Sequence, residues 1–103
     1  MISLIKEHYE LLKQLCEQYS VSRLELFGSA AAKDKFDPES SDLDFLVEFQ
    51  PLKQGQYADA YFGLLESLEK LFGRHVDLVM TGAIKNRYFL EVINKSREVL
   101  YAA

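Results

Sequence analysis

The stretch Ser41-Asp42-Leu43-Asp44-Phe45-Leu46-Val47-Glu48-Phe49 decides the fold, because apolar and polar side chains alternate along most of it. The odd positions from Leu43 to Phe49 are all apolar, and the even positions include Asp42, Asp44 and Glu48. A period of two is typical of a β-strand with one face in the core. The pattern predicts a strand over 42–49 with two aspartates on the same face at its start.

Two flanking stretches predict further strands. Arg23-Leu24-Glu25-Leu26-Phe27 alternates and stops at Gly28, whereas 75–80 carries Asp77 inside an apolar run. The first strand therefore ends near the acids, and the other two begin there. We expect the first two strands to be antiparallel, and the second and third to be parallel with a right-handed crossover between them.

The remaining elements are predicted from helical periodicity and from turn residues. They are a helix over 2–19, a short helical turn at 30–32 capped by Ser29, a polar loop over 33–41, a helix over 57–72 stopped by Gly73, a helix over 86–95 and an extended tail at 98–101. The fold class is α/β (α+β), with a small mixed β-sheet flanked by helices. Residues 1–103 are predicted to form one domain.

Composition narrows the classes of function. The chain has 103 residues, of which 49% are hydrophobic and 27% charged, with a net charge of −4. This acidic balance disfavours broad binding to nucleic acid, and no apolar run is long enough to span a membrane. Cys16 is the only cysteine and lies on the apolar stripe of the first helix, which predicts a buried packing role rather than a disulfide. We expect a cytoplasmic protein.

Asp42, Asp44 and Asp77 are the candidate catalytic and metal-binding residues. Ionised carboxylates about 5 Å apart repel by roughly 3 kcal/mol per pair at an effective dielectric of about 20. A cluster of three is therefore unfavourable unless a cation fills it or one acid stays protonated, and oxygen-only ligands suit Mg²⁺ or Mn²⁺. The alternative for Asp77 is an ion pair with a lysine or arginine, and Asp-x-Asp alone is also common in turns.

Gly28 and Ser29 supply a second part of the predicted site. The glycine lets the backbone approach a ligand closely, and the serine offers its hydroxyl and N–H to a phosphate. Together with the acids, this arrangement predicts two-metal phosphoryl transfer from a nucleoside triphosphate. Asp42 and Asp44 would hold the ion on the leaving pyrophosphate, and Asp77 would help to hold the ion that activates the attacking hydroxyl.

These motifs resemble the minimal nucleotidyltransferases (MNT family) of the DNA polymerase beta superfamily. The resemblance rests on Leu26-Phe27-Gly28-Ser29, on the stretch 41–49 and on Val76-Asp77-Leu78-Val79. It also includes the closing residues 86–89 and 100–103. It implies a DNA polymerase beta-like fold, metal at the three aspartates, nucleotide contacts at Gly28 and Ser29, and NTP, taken as ATP, as substrate. Ser41 is a further candidate nucleotide-binding residue. Many such proteins pair with an all-helical HEPN protein as antitoxins, either by transferring AMP to it or by binding it.

The chain departs from the family pattern after Gly-Ser. Family members often continue to Ala-Arg-Gly, whereas this chain has Ala32 at the arginine position and Lys33 at the glycine position. Loss of a guanidinium near the phosphates lowers nucleotide affinity, because charge-assisted contacts are the strong ones. We expect Lys33 or Lys35 to replace it as a nucleotide-binding residue.

The sequence thus predicts an enzyme that moves AMP from ATP to a protein hydroxyl on a HEPN-type partner in a toxin–antitoxin pair. A catalytically weak antitoxin that acts by binding is the alternative, and an end-modifying polymerase is a weaker one. His8 and His75 are interpreted as surface or boundary residues, and Glu48 is left out of the metal site. The wide apolar surface of the helix over 57–72 predicts an interface with the partner or with a second copy of the chain.

Overall fold

The computed structural model describes residues 2–28, 42–81 and 97–103. Seven elements lie in this part of the chain. They are the helices α1 (Ser3–Glu7), α2 (Tyr9–Gln18) and α3 (Gln56–Phe72), and the strands β1 (Val21–Phe27), β2 (Leu43–Phe49), β3 (Val76–Met80) and β4 (Glu98–Ala102). The predicted helical turn at 30–32, the loop over 33–41 and the helix over 86–95 lie outside the described residues.

The four strands form one mixed sheet in the order β3-β2-β1-β4. Strand β1 is antiparallel to both β2 and β4, and β2 is parallel to β3. The parallel pair is joined through α3, which carries the chain back across the sheet between the two strands. The predicted strand directions and the mixed-sheet fold class are confirmed, and the tail predicted at 98–101 is a full edge strand.

The core lies on one face of the sheet, against the helices. Alternate residues of β2 (Leu43, Phe45 and Val47) are fully buried there, as the alternation predicted. The side chains that pack against them from α3 are Leu64, Leu68 and Phe72. This packing fixes which way β2 faces, so its even-numbered residues project from the opposite face.

The first helix differs from the prediction of a single helix over 2–19. His8 interrupts it with φ −112° and ψ 12°, which separates α1 from α2. The His8 ring bonds the carbonyl of Leu4 through Nδ1 at 2.9 Å and packs edge-on against Phe72, with 5.4 Å between ring centroids. Cys16 is fully buried, as predicted, and burial raises the pKa of its thiol to about 12.

Helix α3 ends where the sequence predicted. Gly73 follows it with φ 63°, in the left-handed region that glycine adopts without strain, and donates its N–H to Glu69 O at 2.8 Å. Within the ranges described above, none of the helices is both long and apolar enough to cross a membrane.

Candidate active site

The starts of β2 and β3 lie side by side and bring the predicted acids together. The parallel register pairs Leu43 with Val76 and Asp44 with Asp77. Because Leu43 and Val76 are buried in the core, their neighbours Asp44 and Asp77 share the opposite face of the sheet. Side chains paired in this way on adjacent strands are close neighbours. The register thus produces the two-strand convergence that the sequence predicted.

Asp42 lies one residue before β2 and joins the same cluster. Its carboxylate, the imidazole of His75 and the carboxylate of Asp77 each offer an atom such that all three lie within 4.8 Å of one another. All three residues are exposed. Exposure matters because a substrate and an ion would have to enter from solvent. The place they enter is the corner of the sheet formed by the starts of β2 and β3.

The electrostatics of the corner reflect crowded negative charge. Burial raises the pKa of Asp44 to about 6, and a hydrogen bond with Asp77 and the charges of Asp77 and Asp42 act in the same direction. His75 partly opposes this effect. A half-buried carboxylate between two others gains stability either from a proton or from a cation. The donor set therefore fits a divalent metal ion.

Gly28 closes the corner from the end of β1. It has φ +71°, and a Cβ atom built on it would overlap the carboxylate oxygen Oδ2 of Asp44. The backbone therefore passes directly over the acid, in a conformation that other residues adopt with strain. The sequence predicted this glycine for close approach to a phosphate, and the structure adds that Asp44 itself requires the space.

His75 contacts the cluster, whereas the sequence predicted only a surface or boundary residue. It sits at the boundary of β3, as predicted, and its Nε2 lies 3.0 Å from Asp77 Oδ1. The hydrogen bond with Asp77 is the main cause that raises the pKa of His75. The spacing His75-x-Asp77 matches Asp42-x-Asp44 on the neighbouring strand, and that repeated period of two was the available signal.

Glu69, on the last turn of α3, holds this segment from the other side. Its Oε2 accepts the N–H of Val76 at 3.2 Å and lies 3.5 Å from His75 Nδ1. The imidazole is thus placed between two carboxylates, one on each ring nitrogen. This contact was not predictable from the sequence, because it depends on how α3 packs beside β3.

A cavity opens beside the acids. Its volume is ≈ 510 Å³, and its lining includes Phe27, Asp44, Tyr61, His75 and Asp77. Binding sites for small molecules and cofactors commonly have volumes of about 300–1,000 Å³. Asp44 and Asp77 thus face a space large enough for a small-molecule ligand.

A buried acid also lies on this sheet face, and the sequence did not predict it. Glu25 is 2% exposed, and its carboxylate pairs with the guanidinium groups of Arg23 and Arg97. Burial favours its protonated form, but the hydrogen bonds and charges of Arg97 and Arg23 prevail and lower its pKa. Arg97 is distant in sequence, so no local pattern could reveal the pair.

Three of the predicted nucleotide-binding residues, Ser29, Ser41 and Lys33, lie outside the described residues, as do Ala32 and Lys35. Glu48 is exposed and lies on β2 beyond Asp44 and Leu46. Its position agrees with leaving it out of the acidic cluster.

A family model described as "Nucleotidyltransferase domain" matches residues 8–100. The chain belongs to this nucleotidyltransferase family. Curated relatives of this nucleotidyltransferase include two proteins of Methanocaldococcus jannaschii, each named "Putative protein adenylyltransferase". One is 38% identical and the other 34% identical over 92 residues, and both alignments cover 89% of this chain and 86% of the relative.

Solved structures share the nucleotidyltransferase fold. One described as a "putative minimal nucleotidyltransferase" is 29% identical and has a TM-score of 0.70, covering 95% of this chain and 94% of that one. Another is a tri-AMPylated Shewanella oneidensis HEPN toxin in complex with an MNT antitoxin, at 16% identity and a TM-score of 0.64, covering 95% and 72%. A third is a toxin–antitoxin with AMP-PNP, at 18% identity and a TM-score of 0.67, covering 92% and 73%. The predicted family is confirmed.

Proposed function

We propose that this nucleotidyltransferase is a Mg²⁺-dependent protein adenylyltransferase that moves AMP from ATP to a hydroxyl of a HEPN-type toxin. The observation that carries the proposal is the register that sets Asp44 beside Asp77, with Asp42 in the same cluster and Gly28 against Asp44. Acids on two adjacent strands that face a common cavity are the donor set that a metal-bound triphosphate needs.

Asp42, Asp44 and Asp77 would hold the metal, with the first two on the side of the leaving group. Bound divalent ions would neutralise the phosphate charge and make the acceptor hydroxyl easier to deprotonate. The acceptor oxygen then bonds to the α-phosphorus while the bond from that phosphorus to the bridging β-phosphate oxygen breaks, which releases pyrophosphate. Asp77 would help to hold the ion beside the attacking hydroxyl and so favour loss of its proton to solvent.

The nucleotide itself is expected to contact the segment that follows β1. Gly28 leaves the backbone accessible at the mouth of the site, and Ser29, Ser41 and Lys33 are the proposed phosphate contacts. These three roles come from the sequence and from the resemblance. Mn²⁺ is the proposed alternative to Mg²⁺.

The acceptor and the partner are inferred from the relatives. Curated relatives carry the name of protein adenylyltransferases, and one structural neighbour is an MNT antitoxin with a HEPN toxin that bears three AMP groups. We place the pair in the cytoplasm, with a hetero-oligomer or a homodimer as the assembly.

Ala32 favours a second candidate function, an antitoxin that binds its toxin without modifying it. The family's arginine at this position would pair with phosphate, and alanine cannot. The two candidates share the fold and the partner. They differ in whether AMP is transferred.

The test incubates the protein with its helical partner, Mg²⁺ and ATP labelled at the α-phosphate. Label on the partner that disappears with Asp44→Asn supports the enzyme, whereas neutralisation of toxicity without label supports the binder. Glu48→Gln is the matched control, because it removes an exposed carboxylate from the same strand and the same face. A result with no label on the partner and no neutralisation of its toxicity would contradict both candidates.

A further inference from the structure

We propose that His75 is a metal ligand, and that its imidazole makes the position formed with Asp42 and Asp77 prefer Mn²⁺ and similar transition ions over Mg²⁺. This inference rests on the metal site of the proposed function and adds to it a nitrogen donor that determines metal preference. Three separate features of His75 support it.

The first feature is placement. His75 stands two residues before Asp77, just as Asp42 stands two residues before Asp44, so the paired strand starts present two rows of donors on one face. Leu43 N–H bonds the carbonyl of His75 at 3.3 Å, which ties the residue to the start of β2. Its imidazole thus belongs to the same array as the acids.

The second feature is spacing. His75 Nε2 and Asp77 Oδ1 are 3.0 Å apart. Adjacent ligands of an octahedral ion with bonds of about 2.1 Å are also about 3.0 Å apart. Asp42 supplies a third donor atom, which lies within 4.8 Å of the donor atoms of His75 and Asp77. One ion could therefore contact all three after small rotations of these exposed side chains.

The third feature is independent of the acidic cluster. Glu69 Oε2 faces the other ring nitrogen, Nδ1, at 3.5 Å and is itself fixed by the N–H of Val76. Histidines that bind metals commonly direct their second ring nitrogen at a carboxylate, which fixes the ring and the tautomer. An ion that replaces the proton shared by Nε2 and Asp77 would leave the remaining proton on Nδ1, toward Glu69, and the Nε2 lone pair free to bind the ion.

The choice of metal follows from the chemistry of the donors. Mg²⁺ prefers oxygen ligands and retains water, whereas imidazole suits later first-row ions, which bind nitrogen more strongly. Removing the imidazole should therefore weaken Mn²⁺ binding by about 10-fold or more and change Mg²⁺ binding by less than about 2-fold. Glu69→Gln should weaken Mn²⁺ binding by less than His75→Gln does.

The experiment uses the full chain without a polyhistidine tag. Bound Mn²⁺ is counted by electron paramagnetic resonance, with and without AMP-PNP, and spin-echo modulation detects any nitrogen nucleus bound to the ion. The chain has two histidines, so His8→Gln is the matched control for His75→Gln. His8 bonds Leu4 within the first helical segment and takes no part in the acidic cluster.

We expect histidine nitrogen modulation in the wild type and in His8→Gln, and its loss in His75→Gln. Mn²⁺ that binds the wild type without this modulation, modulation that persists in His75→Gln, or no Mn²⁺ binding in either condition would overturn the inference. Failure of AMP transfer alongside an intact nitrogen signal contradicts only the proposed function. AMP transfer with Mn²⁺ bound through oxygen alone contradicts only the role of His75.

Discussion

Gly28 and Asp44 occupy the same small space: a Cβ atom at Gly28 would overlap the carboxylate oxygen Oδ2 of Asp44. The end of β1 and the start of β2 are antiparallel neighbours, and Phe27 pairs with Asp44 in the register. The glycine that begins the predicted phosphate turn therefore also sets the position of an acid in the cluster. Gly28 thus links the predicted phosphate turn to the acidic cluster.

Gly28→Ala should displace the Asp44 carboxylate and weaken metal and nucleotide binding. The substitution adds strain at φ +71° and a clash with Asp44, for a combined loss of about 2–3 kcal/mol in the free energy of unfolding. Urea unfolding measures the stability, and calorimetry with AMP-PNP and Mg²⁺ measures the binding.

Gly73→Ala is the control for strain alone. Gly73 has φ +63°, and a Cβ there would meet no atom within 4 Å. It should cost about 1 kcal/mol, because alanine is strained in the left-handed region, and leave nucleotide binding intact. Equal effects of the two substitutions on binding would show that the contact with Asp44 carries no function.

The sheet was largely predictable because its signals are local. Alternation in 42–49 fixed the buried face of β2, and the position of Asp77 near the start of its strand implied the parallel pairing with β3. His8 shows where periodicity fails: apolar spacing continues through it, but its ring turns back to Leu4 and the helix breaks. Residues on both sides of the break still face the core, so the pattern cannot reveal it.

The candidate site was predictable only in part. The three aspartates are visible because acids inside or beside apolar strands are unusual. Glu69 and Arg97 were not visible, because each reaches its partner through tertiary packing: Glu69 contacts the start of β3, and Arg97 lies 72 residues from Glu25. Contacts between distant segments leave no periodic trace in a single sequence.

Glu25→Gln should destabilise the protein by about 1–3 kcal/mol at neutral pH, because two guanidinium groups lose their charged partner. The folded-state pKa of Glu25 is lowered from its ordinary value of 4.5. Its contribution is therefore fully present above pH 4.5 and is lost as the pH falls through the lowered pKa.

Urea unfolding over this acidic range measures the effect. The wild type should lose stability as the pH falls, and Glu25→Gln should show a smaller loss. Glu48→Gln, which removes an exposed carboxylate from the neighbouring strand, should lose stability with falling pH at the wild-type slope. Identical slopes in all three proteins would mean that the buried ion pair does not contribute.

Asp44→Asn should stabilise the metal-free protein while it removes metal binding. The folded-state pKa of Asp44 is raised to about 6, so its ionised form is disfavoured in the fold and stability falls as the pH rises through that value. After allowance for solvent screening, removing the charge should gain about 1 kcal/mol at neutral pH.

Thermal unfolding with and without Mg²⁺ separates the two effects. Mg²⁺ should raise the melting temperature of the wild type and leave Asp44→Asn unchanged, because only the wild type retains the full set of acids. A variant that is less stable than the wild type without metal would contradict the charge crowding. A variant that Mg²⁺ stabilises as much as the wild type would contradict the role of Asp44.

Restoring the missing arginine should strengthen nucleotide binding. Ala32→Arg supplies the guanidinium of the family pattern and should raise the affinity for AMP-PNP about 10-fold or more, the worth of one charge-assisted contact. Lys33→Ala and Lys35→Ala identify the present substitute, because the lysine that contacts phosphate should lower the affinity by a similar factor. Lys53→Ala, on the exposed connection after β2, is the control. Wild-type affinity in both Lys33→Ala and Lys35→Ala would show that neither lysine replaces the arginine.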